Sequence, residues 1–170
     1  EADVKWSLPL IKRSSERQYI LEPITKVVLS PNGNNPDKIP NEDSQDIEFS
    51  AENLFDNNRF SGHDIVENGP RVNYGLRGGI NDYQHGDVTF LFGQSYRSKE
   101  DHNFSRQSGL SDNLSDYVGK LGYSKDSIFD VAYKFRFDKD SFAVRNNTIS
   151  GTVNYAPVHF TMDYVSINEN

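Results

Sequence analysis

The sequence predicts an all-β fold: an antiparallel up-and-down sheet of about eight strands. It suits either the wall of a transmembrane β-barrel or a soluble β-sandwich. Three observations point there. Apolar and polar residues alternate from one end of the chain to the other. Most of the alternating runs approach the roughly 10 residues that cross a bilayer when tilted, against about 5–6 for soluble strands. Long and short connections also alternate, which gathers long loops at one end of the sheet and tight turns at the other, as in outer-membrane barrels.

In the first strand Val4, Trp6, Leu8 and Leu10 alternate with Lys5, Ser7 and Pro9. The run Tyr19–Leu29 is the second, less clean because Pro23 interrupts it. Val72, Tyr74 and Leu76 mark the third, Val88, Phe90, Phe92 and Tyr96 the fourth, and Tyr117, Leu121 and Tyr123 the fifth. The sixth is the clearest: Phe129, Val131, Tyr133, Phe135 and Phe137 stand opposite Asp130, Ala132, Lys134, Arg136 and Asp138. Ile149, Val153 and Tyr155 belong to the seventh, and Val158, Phe160, Met162 and Tyr164 to the eighth. No segment carries a convincing helical period. Long loops join the second and third strands (Ser30–Pro70) and the fourth and fifth (Ser98–Asp116). Lys12–Arg17, Asn81–Gly86, Lys125–Ser127 and Ala156-Pro157 are short. The link near Lys139–Ser141 is the exception, because it falls at the long-loop end and is itself short.

Composition narrows the function. Hydrophobic residues make up only 35% of the chain, yet aromatics reach 12%, which suits strands with one wet and one greasy face. A net charge of -7 and scattered basic residues argue against a nucleic-acid partner. The absence of cysteine excludes disulfide frameworks and thiol-based metal sites or nucleophiles. No apolar run approaches the roughly 20 residues of a membrane helix, though a transmembrane barrel has only a weak dyad signal per strand. The chain starts at Glu1 and shows no signal peptide.

If the sheet is a barrel wall, charge decides which face points where. One Arg or Lys against lipid costs about 2–4 kcal/mol at the midplane. Arg71, Arg77, Lys120, Asp130, Lys134 and Arg136 are therefore candidates to face the lumen, and Phe129, Val131, Tyr133, Phe135 and Phe137 to face lipid. Trp6, Tyr96, Tyr117 and Tyr164 suit interfacial girdles. Inward cations suit salt bridges to Asp87, Asp130 and Asp138 across strands, the simpler account. The functional alternative is contact with an anionic ligand or with the acidic face of a partner in the lumen. In a sandwich the same aromatic face would be core, and the Asn/Asp-rich loops would serve a carbohydrate-binding or adhesin-like module.

Catalytic chemistry has little footing. His63-Asp64 lies in an Asn/Asp/Gly-rich loop and reads as turn hydrogen bonding before acid–base work. His85 with Asp82 and Asp87, and Asp101-His102, match no established metal spacing, so no metal site, cofactor or enzyme activity is expected. Gly75, Gly78 and Gly79 precede no helix and suit bends or close packing better than phosphate binding. Phe49, Leu54, Phe55 and Phe60 are expected to pack their loop onto the sheet, where it would cap a lumen from outside.

Several segments in order and spacing resemble the LPS-assembly outer-membrane family LptD (OstA/Imp). They are ILEPITKVVLSP from Ile20, IPNEDSQD from Ile39, FSAENLFDNNRF from Phe49 and Ser61-Gly62-His63-Asp64, in which His63 replaces the family's usual Tyr. Glu67-Asn68-Gly69, RVNYGL from Arg71, FGQSY from Phe92 and GLSDNLSDYV from Gly109 follow, and FRFDKD from Phe135 is a weaker echo. The resemblance implies one unit over residues 1–170, part of a large transmembrane β-barrel in the cell outer membrane. The implied function is part of the translocon that assembles lipopolysaccharide into the outer leaflet. Implied partners are lipopolysaccharide, outer-membrane lipid, an LptE-like plug lipoprotein in the lumen and an LptA-like periplasmic bridge, with energy from a remote inner-membrane ATPase. The family's periplasmic domain is not seen in this chain, and residues Ile167–Asn170 lack the aromatic end of a closing strand. An internal slice of the C-terminal barrel is the expectation.

Overall fold

The structure is a computed structural model that describes residues 2–31, 47–60, 67–100 and 104–168. Its strands are β1 (Ala2–Ser7), β2 (Leu10–Arg13), β3 (Arg17–Leu29), β4 (Arg71–Asp82), β5 (Gly86–Arg97), β6 (Tyr117–Lys125), β7 (Phe129–Phe137), β8 (Val144–Tyr155) and β9 (Val158–Ile167). All nine lie in one antiparallel sheet. From β3 to β9 each strand pairs with the next in sequence, and β1 and β2 both flank β3. The sheet is not closed: β1 and β2 form one edge and β9 the other. Among the described residues no second sheet packs on either face, as a sandwich would need.

Nine strands replace the expected eight because the first is split. β1 and β2 keep one register on β3, with Ser7 opposite Ile24 and Leu10 opposite Leu21. Between them Pro9 has no N–H to donate, and the facing stretch of β3 contains Pro23, so the ladder lapses. Leu8 N–H still reaches the Pro23 carbonyl at 3.2 Å.

The turns explain which end is which. Asp126 and Ser127 both have positive φ (53° and 56°), the mirror-image geometry that matches strand twist, and Ile128 N–H closes the turn on Lys125 O at 2.9 Å. Asp82 Oδ1 accepts the N–H groups of Gln84 and His85, each at 2.9 Å, in the β4–β5 turn. At the opposite end lie the two long connections and the tight β7–β8 link. There Asp138 Oδ1 accepts the N–H of Ser141 at 2.8 Å and its hydroxyl at 2.8 Å, so a short link suffices.

Register sorts the residues onto two faces. One line across seven strands reads Leu21, Gly78, Phe90, Leu121, Tyr133, Ile149 and Tyr164. Its neighbour on the other face reads Ile20, Gly79, Thr89, Gly122, Ala132, Ser150 and Asp163. The apolar face is bare: Trp6 is 54% exposed, Leu121 48% and Tyr164 56%. An apolar, aromatic-rich surface running from β1 to β9, with aromatics on every strand but β2, far exceeds the patch of roughly a few hundred Å² that a soluble monomer shows.

The buried core lies on the polar side. Phe49, Leu54 and Phe60 from the β3–β4 connection cluster with Phe104 and Leu110 from the β5–β6 connection and with Val118 of β6. Phe60 and Phe104 stack at 4.5 Å. Gly75 and Gly93, directly opposite in register, form the floor on which this loop rests. A Cβ on Gly93 would lie 2.5 Å from Leu54 Cδ2, and one on Gly75 would lie 3.3 Å from the Phe55 ring. Gly93→Val is expected to lower stability by about 1–3 kcal/mol through overpacking. Leu54→Ala is expected to lower it by about 2–5 kcal/mol through the cavity it leaves. Denaturant unfolding and proteolysis of the 47–60 segment in the intact protein check both.

Candidate functional site

Three pairs of cations face each other across adjacent strands on the polar side: Lys5 opposite Lys26, Arg71 opposite Arg97, and Lys120 opposite Lys134. Like charges in direct register repel. Each pair is reconciled by an acceptor from the β3–β4 connection. Lys26 Nζ donates to Phe55 O at 2.8 Å and also to Asn57 Oδ1, while Asn57 Nδ2 reaches Asp3 at 2.8 Å. Glu67 lies between Arg71 and Arg97, and Glu52 between Lys120 and Lys134.

The Glu67 group is fully enclosed. Its Oε1 accepts from Arg59 Nη1 at 2.6 Å and Arg97 Nη2 at 2.7 Å, with Arg71 Nε at 3.5 Å. Side chains of Arg59, Glu67 and Arg71 are 0% exposed. Burying ions costs several kcal/mol each unless donors and acceptors are well matched. Here Arg59 also donates to Leu54 O at 3.0 Å, Asn53 O at 3.0 Å and Asn73 Oδ1 at 2.8 Å. Arg59 stands over the Phe49 ring at 5.1 Å, and Arg97 over Phe104 at 4.7 Å. Burial lowers the Arg59 pKa to about 10, although the Glu67 charge works to raise it. This cluster anchors the loop.

The other end of the loop is held more openly. Glu52 Oε1 lies 2.8 Å from Lys134 Nζ and 3.5 Å from Lys120 Nζ, with Glu52 43% exposed. Burial acts to raise the Glu52 carboxyl, but the hydrogen bond and charge of Lys134 outweigh it and leave it below its ordinary value. Glu48 Oε1 accepts from Arg136 Nη2 at 3.0 Å and Asn146 Nδ2 at 2.7 Å. Arg136 Nη1 donates to Asp116 Oδ2 at 3.0 Å. A cavity of about 1070 Å³ opens beside Arg136, lined also by Glu48, Asp112, Asp116, Lys139 and Arg145.

Arg71, Arg77, Lys120, Asp130, Lys134 and Arg136 thus share one face, and Phe129, Val131, Tyr133, Phe135 and Phe137 the other. On the apolar face the Phe135 and Phe137 rings stack at 4.6 Å. The partners of the cations differ from the simpler expectation. Arg77 pairs with Glu22 at 2.6 Å, while Asp138 pairs with Arg145 at 2.8 Å. Asp130 stands opposite Ser124 and Thr152, and Asp87 opposite Ser124 and Asn81, so register keeps both acids off the lysine pair. Loop carboxylates serve instead. Lys26, Glu48, Glu52, Arg59, Glu67 and Arg97 escaped the reading of the sequence, where only the aromatic spacing of the loop stood out. His85 Nδ1 lies 3.0 Å from Asp82 within the turn, and among the described residues no His/Asp/Glu group can hold a metal ion. His63, Asp64, Asp101 and His102 lie outside the described residues.

The site is thus a two-faced antiparallel sheet with one loop sealed onto its cationic side. A family model described as "LptD: LPS transport system D" matches residues 2–170. The chain belongs to the LptD family. No curated protein matches it. As a member of the LptD family it has a role in lipopolysaccharide transport and assembly, and the family points to the outer membrane or envelope. Among the described residues no helix is long and apolar enough to cross a membrane.

Two substitutions separate the anchor from the tip. Glu67→Gln leaves three buried guanidinium groups without their carboxylate and is expected to destabilise the docked loop by about 3–5 kcal/mol. Glu52→Gln, at an exposed pair, is expected to cost about 0–1 kcal/mol. Proteolysis of the 47–60 segment reads both. Acid should act at the tip. The folded pKa of Glu52 lies below its ordinary 4.5, so its contribution is complete above that pH and is lost as pH falls through the lowered value. A spin label on Asp56→Cys should gain mobility only in that acidic range.

Proposed function

We propose that residues 1–170 form part of the wall of the outer-membrane translocon that assembles lipopolysaccharide into the outer leaflet. The observation that carries the reading is the bare, aromatic-rich apolar face of the sheet, set against a cationic face covered by the chain's own loop. Lipid is the medium in which the first face is stable without a partner, and a wet lumen suits the second. Strands of 9–13 residues from β3 to β9 are long enough to cross. Lys120, Lys134 and Arg136 then line the lumen, while Phe129, Val131 and Tyr133 meet lipid. The long connections lie outside the cell, and residues 47–60 fold inward as a cap.

The polar face nearer the short turns carries Gln18, Asn81, Asp87, Ser124, Asp130 and Thr152, each at least partly exposed. An LptE-like plug lipoprotein would meet that zone, and an LptA-like bridge would deliver lipopolysaccharide from the periplasmic side. Both partners follow from the family likeness. In the intact protein Val131→Arg, at a lipid-facing position, should abolish outer-membrane assembly through a penalty of about 2–4 kcal/mol. Lys134→Ala should have a mild effect. Heat-modifiable mobility of the assembled protein in outer-membrane fractions checks the pair, and equal mild effects at both sites would sink the facing assignment.

A further inference from the structure

The apolar face is not equally tall on every strand. On β3 it runs over ten residues, from Tyr19 to Leu29, with Thr25 as its one hydroxyl short of the Tyr19 end, and Val4 and Trp6 of β1 continue it alongside. On β4, β5 and β7 it covers eight, from Val72 to Ile80, Val88 to Tyr96 and Phe129 to Phe137. On β6 it covers six, from Tyr117 to Tyr123, with Lys125 next. On β8 and β9 it also covers six, from Ile149 to Tyr155 and from Val158 to Tyr164. The next members of that face are Asn147 and Ser166, directly opposite each other and half-buried. Gln94, the other amide on this face, is sealed: Tyr74 Oη donates to its Oε1 at 2.6 Å, and its Nε2 donates to Ser115 O at 2.8 Å. Asn147 has no such side-chain partner among the described residues.

We propose that the bilayer held by this wall is wedge-shaped: of ordinary thickness at β3 and thinned along the β8–β9 hairpin, where headgroups and water reach the Asn147–Ser166 pair. The proposal rests on the wall reading. Ten residues are about 33 Å of strand and six are about 20 Å. At the tilt of roughly 35–45° usual for such barrels, β3 then covers about 23–27 Å of depth and β9 about 14–16 Å, against an apolar band of about 25 Å. The β3 side fits an unperturbed bilayer. On the β9 side either the bilayer thins or an unpartnered amide enters hydrocarbon. Thinning is the cheaper of the two, because a bilayer yields at modest cost per ångström while a polar group without a partner has no relief. A thinned strip shortens the hydrocarbon path of a polar headgroup beside the wall, which suits a protein of lipid transport.

The test places a spin label on Thr25→Cys, Asn147→Cys or Leu121→Cys of the intact protein in dioleoyl phosphatidylcholine bilayers, with the parent protein carried through the same labelling as the blank. Thr25 and Asn147 lie equally far along their strands from the short-turn end, counted from Arg17 and Tyr155. Collision rates with oxygen and with a water-soluble nickel chelate read depth. The oxygen-to-nickel ratio should be several-fold higher at 25 than at 147, and high at 121. Equal ratios at 25 and 147, with 121 still in hydrocarbon, overturn the wedge and leave the wall standing. A chelate-accessible 121 overturns the wall reading itself. A second variant needs no label: Asn147→Leu/Ser166→Leu lengthens the short belt and should raise the thermal unfolding midpoint in the dioleoyl lipid above that of the parent protein. An unchanged or lower midpoint counts against the wedge. Heat-modifiable mobility shows that each variant is folded.

Discussion

Cations in direct cross-strand register cannot share a sheet face unless an anion or a carbonyl lies between them, and this sheet has three such pairs. The constraint fixes where the β3–β4 connection must go. Its carboxylates Glu48, Glu52 and Glu67, with Phe55 O and Asn57, meet groups spread from β3 to β8. Once the loop is there, Phe49, Leu54 and Phe60 have a place to be buried, and Gly75 and Gly93 must stay bare of side chains to receive them. The apolar face receives no such cover; its charged residues, Lys12, Arg17, Asp82 and Lys125, sit only at the short-turn end, and the rest of it is suited to lipid.

The loop is graded from a buried end to an open one. Around Glu67 the charges are dry, so each hydrogen bond is strong and the loss of a partner is severe. Around Glu52 water screens the same kind of pair, and its contribution to stability is small. A segment built this way is held at one end by buried ion pairs and at the other by pairs open to solvent.

Alternation was legible because a face exposed to one medium enforces period two, and β7 carries it without interruption from Phe129 to Phe137. The long connections were legible because Pro, Asn and Asp break that period, so the edges near Ser30, Pro70, Ser98 and Asp116 agree with the strand ends. Pro23 announced an irregularity in its own strand, but Pro9 reads as a regular position of the first, and the break there comes from the two prolines on facing stretches. Register was not legible. The sequence contains Lys120, Lys134, Asp87 and Asp130, yet only the pairing of β6 with β7 decides that the lysines meet each other and that Asp130 meets Ser124. Contacts such as Glu48 with Arg136 span most of the chain and leave no local trace.

Residues 1–170 contain no cysteine, so thiols introduced among them meet no native thiol within this segment. The most direct test is cross-linking of Glu52→Cys with Lys134→Cys by a short bifunctional reagent in the intact protein in its membrane, with Glu52→Cys and Tyr133→Cys as the opposite-face control. Efficient linkage of the 52–134 pair and none of the 52–133 pair is the predicted result. Linkage of both pairs alike, or of neither, would contradict a loop docked as the counterion of the cationic face.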